Sequence, residues 1–405
     1  MFKLVTSICL LGARFATAES ITLDDALRRA SARPSVAIAT ADRDAARGNA
    51  LAADLPLYNP TLELAAGPRW SSGSVLGGAS VGIGQTIELG GKRAARRDAA
   101  DARVRSAASG LLGAQLAARI ETWRAYELAV VARLRVESAN EAEKTASEVV
   151  AATQQAQALG GETQLRLNLA IADLGKAKHD RLDAENEYAG AIADLASAIG
   201  ATDIPEPSDR SPRLPAALAE SLAVNAAISN RPDLVQARAE VDATNADVHV
   251  ADAGAVPDIT LSLTYGYEPD PDVKTHTLAV GATIALPIRT RNQGQRAVTR
   301  ALAHRADVEA TWLRVEVERT ARVAAQRYAR ALAAVEAFDR EVSDKLHENL
   351  QLAADSYRAG KIDFYAFSIA RRDLFANRLG YLDAAAEAIE AWAAVSRASA
   401  LEVTP

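Results

Sequence analysis

Ile259-Thr260-Leu261-Ser262-Leu263-Thr264-Tyr265-Gly266-Tyr267 places a large apolar residue at every odd position and a small or polar one at every even position. A period of two is that of a β-strand with two unlike faces. Leu278, Val280, Ala282, Ile284 and Leu286 then alternate with Thr277, Ala279, Gly281, Thr283 and Ala285, which predicts a hairpin over about 258–287 turning within Glu268–His276. Nearly two hundred residues earlier the plan is the same. Leu62 and Leu64 lead to Trp70, and Val81, Ile83, Ile87 and Leu89 alternate with Ser80, Gly82, Gly84, Thr86 and Glu88, a hairpin over about 61–89.

Strands of about nine residues at roughly 3.3 Å each, tilted about 40°, rise near 23 Å, close to the ~25 Å apolar band of an outer-membrane barrel. On that reading Leu62, Leu64, Val81, Ile83, Ile87, Leu261, Leu263, Tyr265, Val280 and Ile284 face lipid. Thr86, Glu88, Thr260, Ser262 and Thr264 face a lumen, which Glu88 and Glu268 make acidic and mildly cation-favouring. A soluble sheet with one wet face has the same local pattern, so the rest of the chain must decide.

Residues 1–18 read as a secretory signal: Lys3, an apolar run through Leu11, and Ala16-Thr17-Ala18 as a small-residue cleavage site before Glu19. No later run has the eighteen or so uninterrupted apolar residues of a membrane helix. The one cysteine, Cys9, lies inside the signal in no lipidation context, so the mature chain is expected to carry neither disulfide nor lipid anchor. Losing Lys3 and Arg14 takes the net charge from -6 to -8, which argues against nucleic acid as a partner. Aromatics are 5% while apolar residues are 49%, much of it alanine, so helices must approach closely over shallow surfaces.

After the signal, Thr22 and Asp25 have the spacing of an N-cap with an acidic partner, and helix is predicted to about Leu57 with a break near Ser31–Arg33 before Pro34. Lys92–Leu159 contains no proline, and as one helix of about 68 residues it would be near 100 Å long, too long for a compact domain. Gly160, Gly161, Glu162 and Thr163 interrupt it, and helix returns over Gln164–Ile199, where Tyr188, Ile192, Leu195 and Ile199 are spaced as a coiled-coil seam. Because the return is shorter than the outgoing helix, a bend or break is expected near Leu134–Asn140.

Residues 203–215 are a proline-rich linker, and beyond it the pattern restarts. Ser229-Asn-Arg-Pro-Asp233 matches Ser31-Ala-Arg-Pro-Ser35, Val256-Pro-Asp-Ile259 matches Asn59-Pro-Thr-Leu62, and Ala359-Gly360-Lys361 matches Leu159-Gly160-Gly161, at offsets of 198, 197 and 200. The chain therefore reads as two repeats, 19–202 and 216–405. The second carries a long helix over about Gly294–Arg358, a tip at Gly360, Lys361, Ile362 and Asp363, and a return helix with a seam at Leu382, Ala385, Ile389, Trp392 and Ser396.

The five histidines are scattered without partners at ligand spacing, no serine sits in a nucleophile elbow, and Gly90-Gly91-Lys92 lacks the spacing of a phosphate loop. The sequence predicts no enzyme, no cofactor and no metal site. Two hairpins give four strands, and a membrane barrel needs about eight, so one chain cannot close it. Three chains would supply twelve.

In this order the motifs resemble the TolC-type outer-membrane efflux proteins: the Ser229–Leu234 segment, two hairpins each after a proline, glycine-bearing tips at Gly160 and Gly360, and duplication at mid-chain. The resemblance covers essentially the whole mature chain. It implies a mainly α fold with a small membrane β-barrel, a homotrimer with a 12-stranded barrel in the outer membrane of a Gram-negative bacterium, and a helical tunnel through the periplasm. It also implies docking of the tips to a periplasmic adaptor (membrane fusion) protein bound to an inner-membrane RND-type pump. The length, the absent lipobox and the Gly360-Lys-Ile-Asp-Phe364 tip are most similar to the outer-membrane components of cobalt-zinc-cadmium type efflux systems. Channels of this kind often narrow at acidic side chains beyond the tip; Ala366 and Ile369 occupy those places here, with Asp363 and Asp373 nearby. Multidrug efflux or type I secretion is the alternative cargo, and a periplasmic coiled-coil adaptor or scaffold the alternative class. An adaptor normally has one helical hairpin, and a scaffold needs no two-faced strands.

Overall fold

A computed structural model describes residues 19–71, 74–202, 205–269, 273–338 and 346–401. The signal read over 1–18 and the turn at Asp270–Asp272 lie outside the described residues, as does 339–345 within the predicted second long helix. β1 (Glu19–Ile21) and α1 (Leu23–Arg29) come first; a 3-10 turn, Ala30–Ala32, separates them from α2 (Pro34–Asp54), which leads to β2 (Thr61–Ser71) and β3 (Ser74–Ile87). α3 (Lys92–Ala158), α4 (Gln164–Ile199), β4 (Pro205–Pro207), α5 (Glu220–Asn230) and α6 (Pro232–Ala253) follow. The chain continues through β5 (Ile259–Pro269), β6 (Lys274–Ile284), α7 (Gln293–Ala337), α8 (Leu346–Arg358) and α9 (Phe364–Ser399). The chain is mainly helical, with a small antiparallel sheet.

Local chemistry sets the early boundaries. The Thr22 hydroxyl accepts from the Asp25 N–H at 3.2 Å and donates to the Asp25 carboxylate at 2.7 Å, closing the start of α1. Arg33, held extended (ψ 144) by the following proline, ends the 3-10 turn, and Pro34 opens α2 where its missing N–H costs nothing.

Two compact units form. One takes the chain up to Val36, Gln115–Asn230 and Glu318 onward; the other takes Ala37–Ala114 and Arg231–Val317. In the first unit the predicted seam on α9 is the core: Leu382, Ala385, Ile389 and Ser396 are fully buried, and Trp392 nearly so. The Trp392 ring lies 4.9 Å from that of Tyr328 on α7, and Trp123, Tyr126 and Leu195 are buried in the same unit. Each such side chain contributes about 1.5–3 kcal/mol by leaving water, and Leu382→Ala should cost roughly 2–5 kcal/mol.

The proline-rich segment is strapped down. Pro205–Pro207 pairs in parallel with Glu19–Ile21, and the Tyr126 hydroxyl donates to the Ile21 carbonyl at 3.3 Å and accepts from the Asp209 N–H at 3.3 Å. Arg133 donates to the carbonyls of Pro207 and Asp209. Glu127, fully buried, accepts from the Arg213 N–H at 2.9 Å, and burial pushes its carboxyl up to about 7.

At Leu134–Asn140, where a bend or break is expected, the helix is not broken: α3 is helical through all 67 residues. The mismatch in length is resolved by a change of partner. Near its start Arg103 pairs with Asp247 of α6, and Gly113 lies against Pro232; farther on Arg181 of α4 pairs with Glu143 of α3 at 2.5 Å. Within the Leu134–Asn140 run Arg135 binds Glu187 of α4 at 2.8 Å and Asp383 of α9 at 2.5 Å.

Candidate functional site

The four long strands form one antiparallel sheet in the order β2-β3-β5-β6, so the two hairpins join through β3 and β5. Residues directly opposite one another across an antiparallel sheet share a face. Leu62, Ile83, Leu263 and Val280 make one such row; Leu64, Val81, Tyr265 and Leu278 make the next; Ile87, Ile259 and Ile284 make another. Gln85, Leu261 and Ala282 complete this face. All ten residues predicted to face lipid therefore lie on one side of the sheet, and they are exposed in the chain, Val280 at 82% and Leu64 at 73%.

The opposite side is mostly small and hydroxylated, with Glu63 a charged exception. Thr61, Gly84, Ser262 and Gly281 form one row; Glu63, Gly82, Thr264 and Ala279 the next. Thr86 and Thr260 stand opposite each other with their hydroxyls 2.9 Å apart. The glycines admit their neighbours: a Cβ on Gly281 would lie 2.6 Å from the Ser262 hydroxyl, and one on Gly84 would lie 2.8 Å from that of Thr61. Glu88 departs from the expectation. β3 ends at Ile87, and the Glu88 carboxylate, with its side chain 10% exposed, is held by the Arg96 guanidinium and accepts the Leu57 N–H. Its charge is neutralised at the strand's exit, because the guanidinium of Arg96 lies one helical turn into α3.

At the other candidate surface, the two tips have one design. Gly160 and Gly360 take left-handed backbone, φ +78 and +68, where glycine has no side-chain penalty. The next N–H reaches back across the turn, Gly161 to the Ala156 carbonyl at 2.8 Å and Lys361 to that of Ser356 at 2.9 Å, which closes the helix end. Thr163 then caps α4 by accepting the Arg166 N–H at 3.3 Å, and Asp363 caps α9 by accepting the Ala366 N–H at 2.7 Å. Glu162 pairs with Arg166 at 2.6 Å, while Ile362 packs on a cluster of Val149, Ala170, Phe364 and Phe367. The Asp363 carboxylate is thus committed to its own helix, and Asp373 lies beside Arg372 at 3.4 Å.

Sequence reading missed what locks the tips together. Arg371 of α9, largely buried, donates to Asp173 of α4 at 2.9 Å, and the Tyr357 ring stacks on Phe367 at 5.4 Å. Burial raises the Tyr357 phenol above its ordinary range. The available signal was the run of aromatics at 357, 364, 365 and 367 on either side of a glycine turn.

Among the described residues, no helix is long and apolar enough to cross a membrane, and no three His, Cys, Asp or Glu side chains gather as a metal site. His179 lies near Asp183 at 3.3 Å, and His276 shares a hydrogen bond of 2.5 Å with the Tyr265 hydroxyl.

Comparison with known proteins agrees with this geometry. The sequence profile described as "Outer membrane efflux protein" matches residues 25–201 and 223–400. The chain is 27% identical over 320 residues, 77% of its length and 74% of the relative's, to the cobalt-zinc-cadmium resistance protein CzcC of Cupriavidus metallidurans. Its fold matches a membrane protein of Pseudomonas aeruginosa with TM-score 0.75 at 20% identity, over 93% of each chain. It matches the transmembrane channel protein CusC with TM-score 0.73 at 18% identity, over 96% of this chain and 95% of that one. The chain belongs to the outer membrane efflux protein family, whose members are transport channels of the Gram-negative outer membrane, not enzymes.

Proposed function

We propose that three copies of this chain close a 12-stranded barrel in the outer membrane and continue as a helical duct into the periplasm. The observation that carries this reading is the sheet: one face carries exposed Leu, Ile, Val or Tyr on all four strands, the other is mostly small and hydroxylated, and β2 and β6 are its two edges. Open edges in lipid leave backbone groups without partners. β6 runs toward the helical end and β2 away from it, so β6 of one copy can add antiparallel to β2 of the next, and the third copy closes the ring. Strands of 11 residues tilted about 40° rise roughly 28 Å, enough for the apolar band.

The chain is organised as two copies of one unit, 19–202 and 216–405, with 203–215 between them and 1–18 removed on export. The matching tips at Gly160–Thr163 and Gly360–Asp363 support this, and they are the surfaces offered to a periplasmic adaptor serving an inner-membrane RND-type pump. The cargo is heavy-metal cations, supported by the likeness to the cobalt-zinc-cadmium resistance protein. The duct is passive, and choice among metals rests with the pump. Deleting the protein should sensitise cells to cobalt, zinc or cadmium, with tolerance restored by the wild-type chain. Unchanged metal tolerance with lost tolerance of organic drugs would overturn the cargo and leave the channel.

A further inference from the structure

The two strand-to-helix exits are not alike. Four residues, 88–91, join β3 to α3, whereas eight, 285–292, join β6 to α7. The longer exit reads Ala285-Leu286-Pro287-Ile288-Arg289-Thr290-Arg291-Asn292 and contains no acid. Leu286 is 73% and Ile288 78% exposed, and Arg289 and Arg291 are exposed beside them.

The segment has a defined fold. The Ile288 N–H donates to the Leu286 carbonyl at 2.9 Å, Arg291 Nε to the Pro287 carbonyl at 3.2 Å, and Gln293 to the Arg289 carbonyl at 3.2 Å. Asn292, at φ +57, ties it to α6 by donating to the Ala251 carbonyl at 2.8 Å. Other cations at this end of the sheet have carboxylate partners: Lys92 has Asp258 at 2.7 Å, Arg96 has Glu88, and Arg296 has Asp252 at 2.5 Å. Arg289 and Arg291 have none among the described residues.

We propose that this exit is a phospholipid site, in which Leu286 and Ile288 enter the edge of the periplasm-facing leaflet and Arg289 and Arg291 bind the phosphates of anionic headgroups. It rests on the barrel reading. Two observations choose lipid over a second copy of the chain. In sequence Leu286 and Ile288 continue the even-numbered apolar series of β6, Leu278, Val280, Ala282 and Ile284, which lies on the outer face. Of the acids near the start of β2, which a neighbouring copy would bring, Asp54 already pairs with Arg93 at 3.4 Å, and Glu63 stands on the face of the sheet opposite to the even-numbered series of β6. Apolar side chains beside arginines at the end of a spanning segment have the chemistry of a headgroup boundary.

The test uses the full mature chain in phosphatidylcholine vesicles with and without phosphatidylglycerol, with single cysteines at Ile288 and, as reference, Leu263, each carrying a fluorophore. Both probes should be quenched by spin-labelled lipid and shielded from iodide, Ile288 best by label near the headgroup. Arg289→Gln with Arg291→Gln should weaken phosphatidylglycerol binding by roughly tenfold or more, and the double lysine variant should retain most of it. Lipid quenching at Leu263 without it at Ile288, whether Ile288 is open to iodide or covered by a second copy, overturns the site alone. Unchanged phosphatidylglycerol binding in the double glutamine variant does the same. Absence of lipid quenching at Leu263 overturns the barrel and the site together.

Discussion

The hydroxyls of Thr86 and Thr260 meet at 2.9 Å across β3 and β5, although 174 residues separate them in the chain. That contact belongs to the ladder joining the two hairpins, and with it the apolar residues of four strands come onto one face. The first prediction follows from the two faces. Leu263→Arg should destabilise the membrane-inserted form by about 2–4 kcal/mol, whereas Thr264→Arg, one residue along, should be tolerated. The yield of protein in the outer-membrane fraction measures both. Equal losses would remove the distinction between the faces.

A second prediction concerns Glu127, buried against the strap with only one oxygen partnered. Its folded-state pKa, about 7, lies above the ordinary 4.5, so the folded state holds the proton more tightly than the unfolded chain. The stability this gives is present below about pH 4.5 and is lost as pH rises through 7. The full swing is about 3 kcal/mol from the displacement of the pKa. Glu127→Gln keeps an acceptor for the Arg213 N–H and removes the charge. Thermal unfolding at pH 5 and pH 8 should show a smaller pH dependence and a higher midpoint at pH 8 than wild type. An unchanged pH dependence would show that Glu127 ionises freely.

Third, the tips should tolerate space but not backbone change. Nothing lies within 4 Å of a Cβ placed on Gly160 or Gly360, so Gly→Ala at either site meets only the left-handed penalty, about 1–2 kcal/mol. Hydrogen exchange should speed up locally around the altered tip and stay unchanged in the α9 seam. Cysteines at Gly161 or Lys361, which spare the capping side chains, should crosslink to the adaptor in cells, and crosslinks confined to residues 70–78 would reverse the orientation.

The strands were legible because a period of two survives in a single segment, and the tips because Gly160 and Gly360 break long helical runs. The joining of β3 to β5 was not, since each hairpin is locally complete and pairing between them is a long-range choice. The false break in α3 came from counting one partner for a helix that has two in succession. Nothing in the sequence around Glu127, Arg135 and Arg371 marks them out, because the groups that surround them come from segments far away in the chain. Glu88 continued the alternation by one residue past the strand, where Arg96 takes it.

The central claim is that β2 and β6 are joined between chains. Within one chain they are separated by β3 and β5, about 14 Å at the usual strand spacing, too far for a disulfide. The single natural cysteine, Cys9, lies in the predicted signal, so introduced pairs report on a clean background. The decisive measurement is oxidation, in isolated outer membranes, of a chain carrying Leu64→Cys on β2 and one cysteine stepped along β6. Covalent dimers and trimers at a narrow set of β6 positions are expected. Monomer at every position, from protein that still reaches the outer membrane, would contradict the shared barrel.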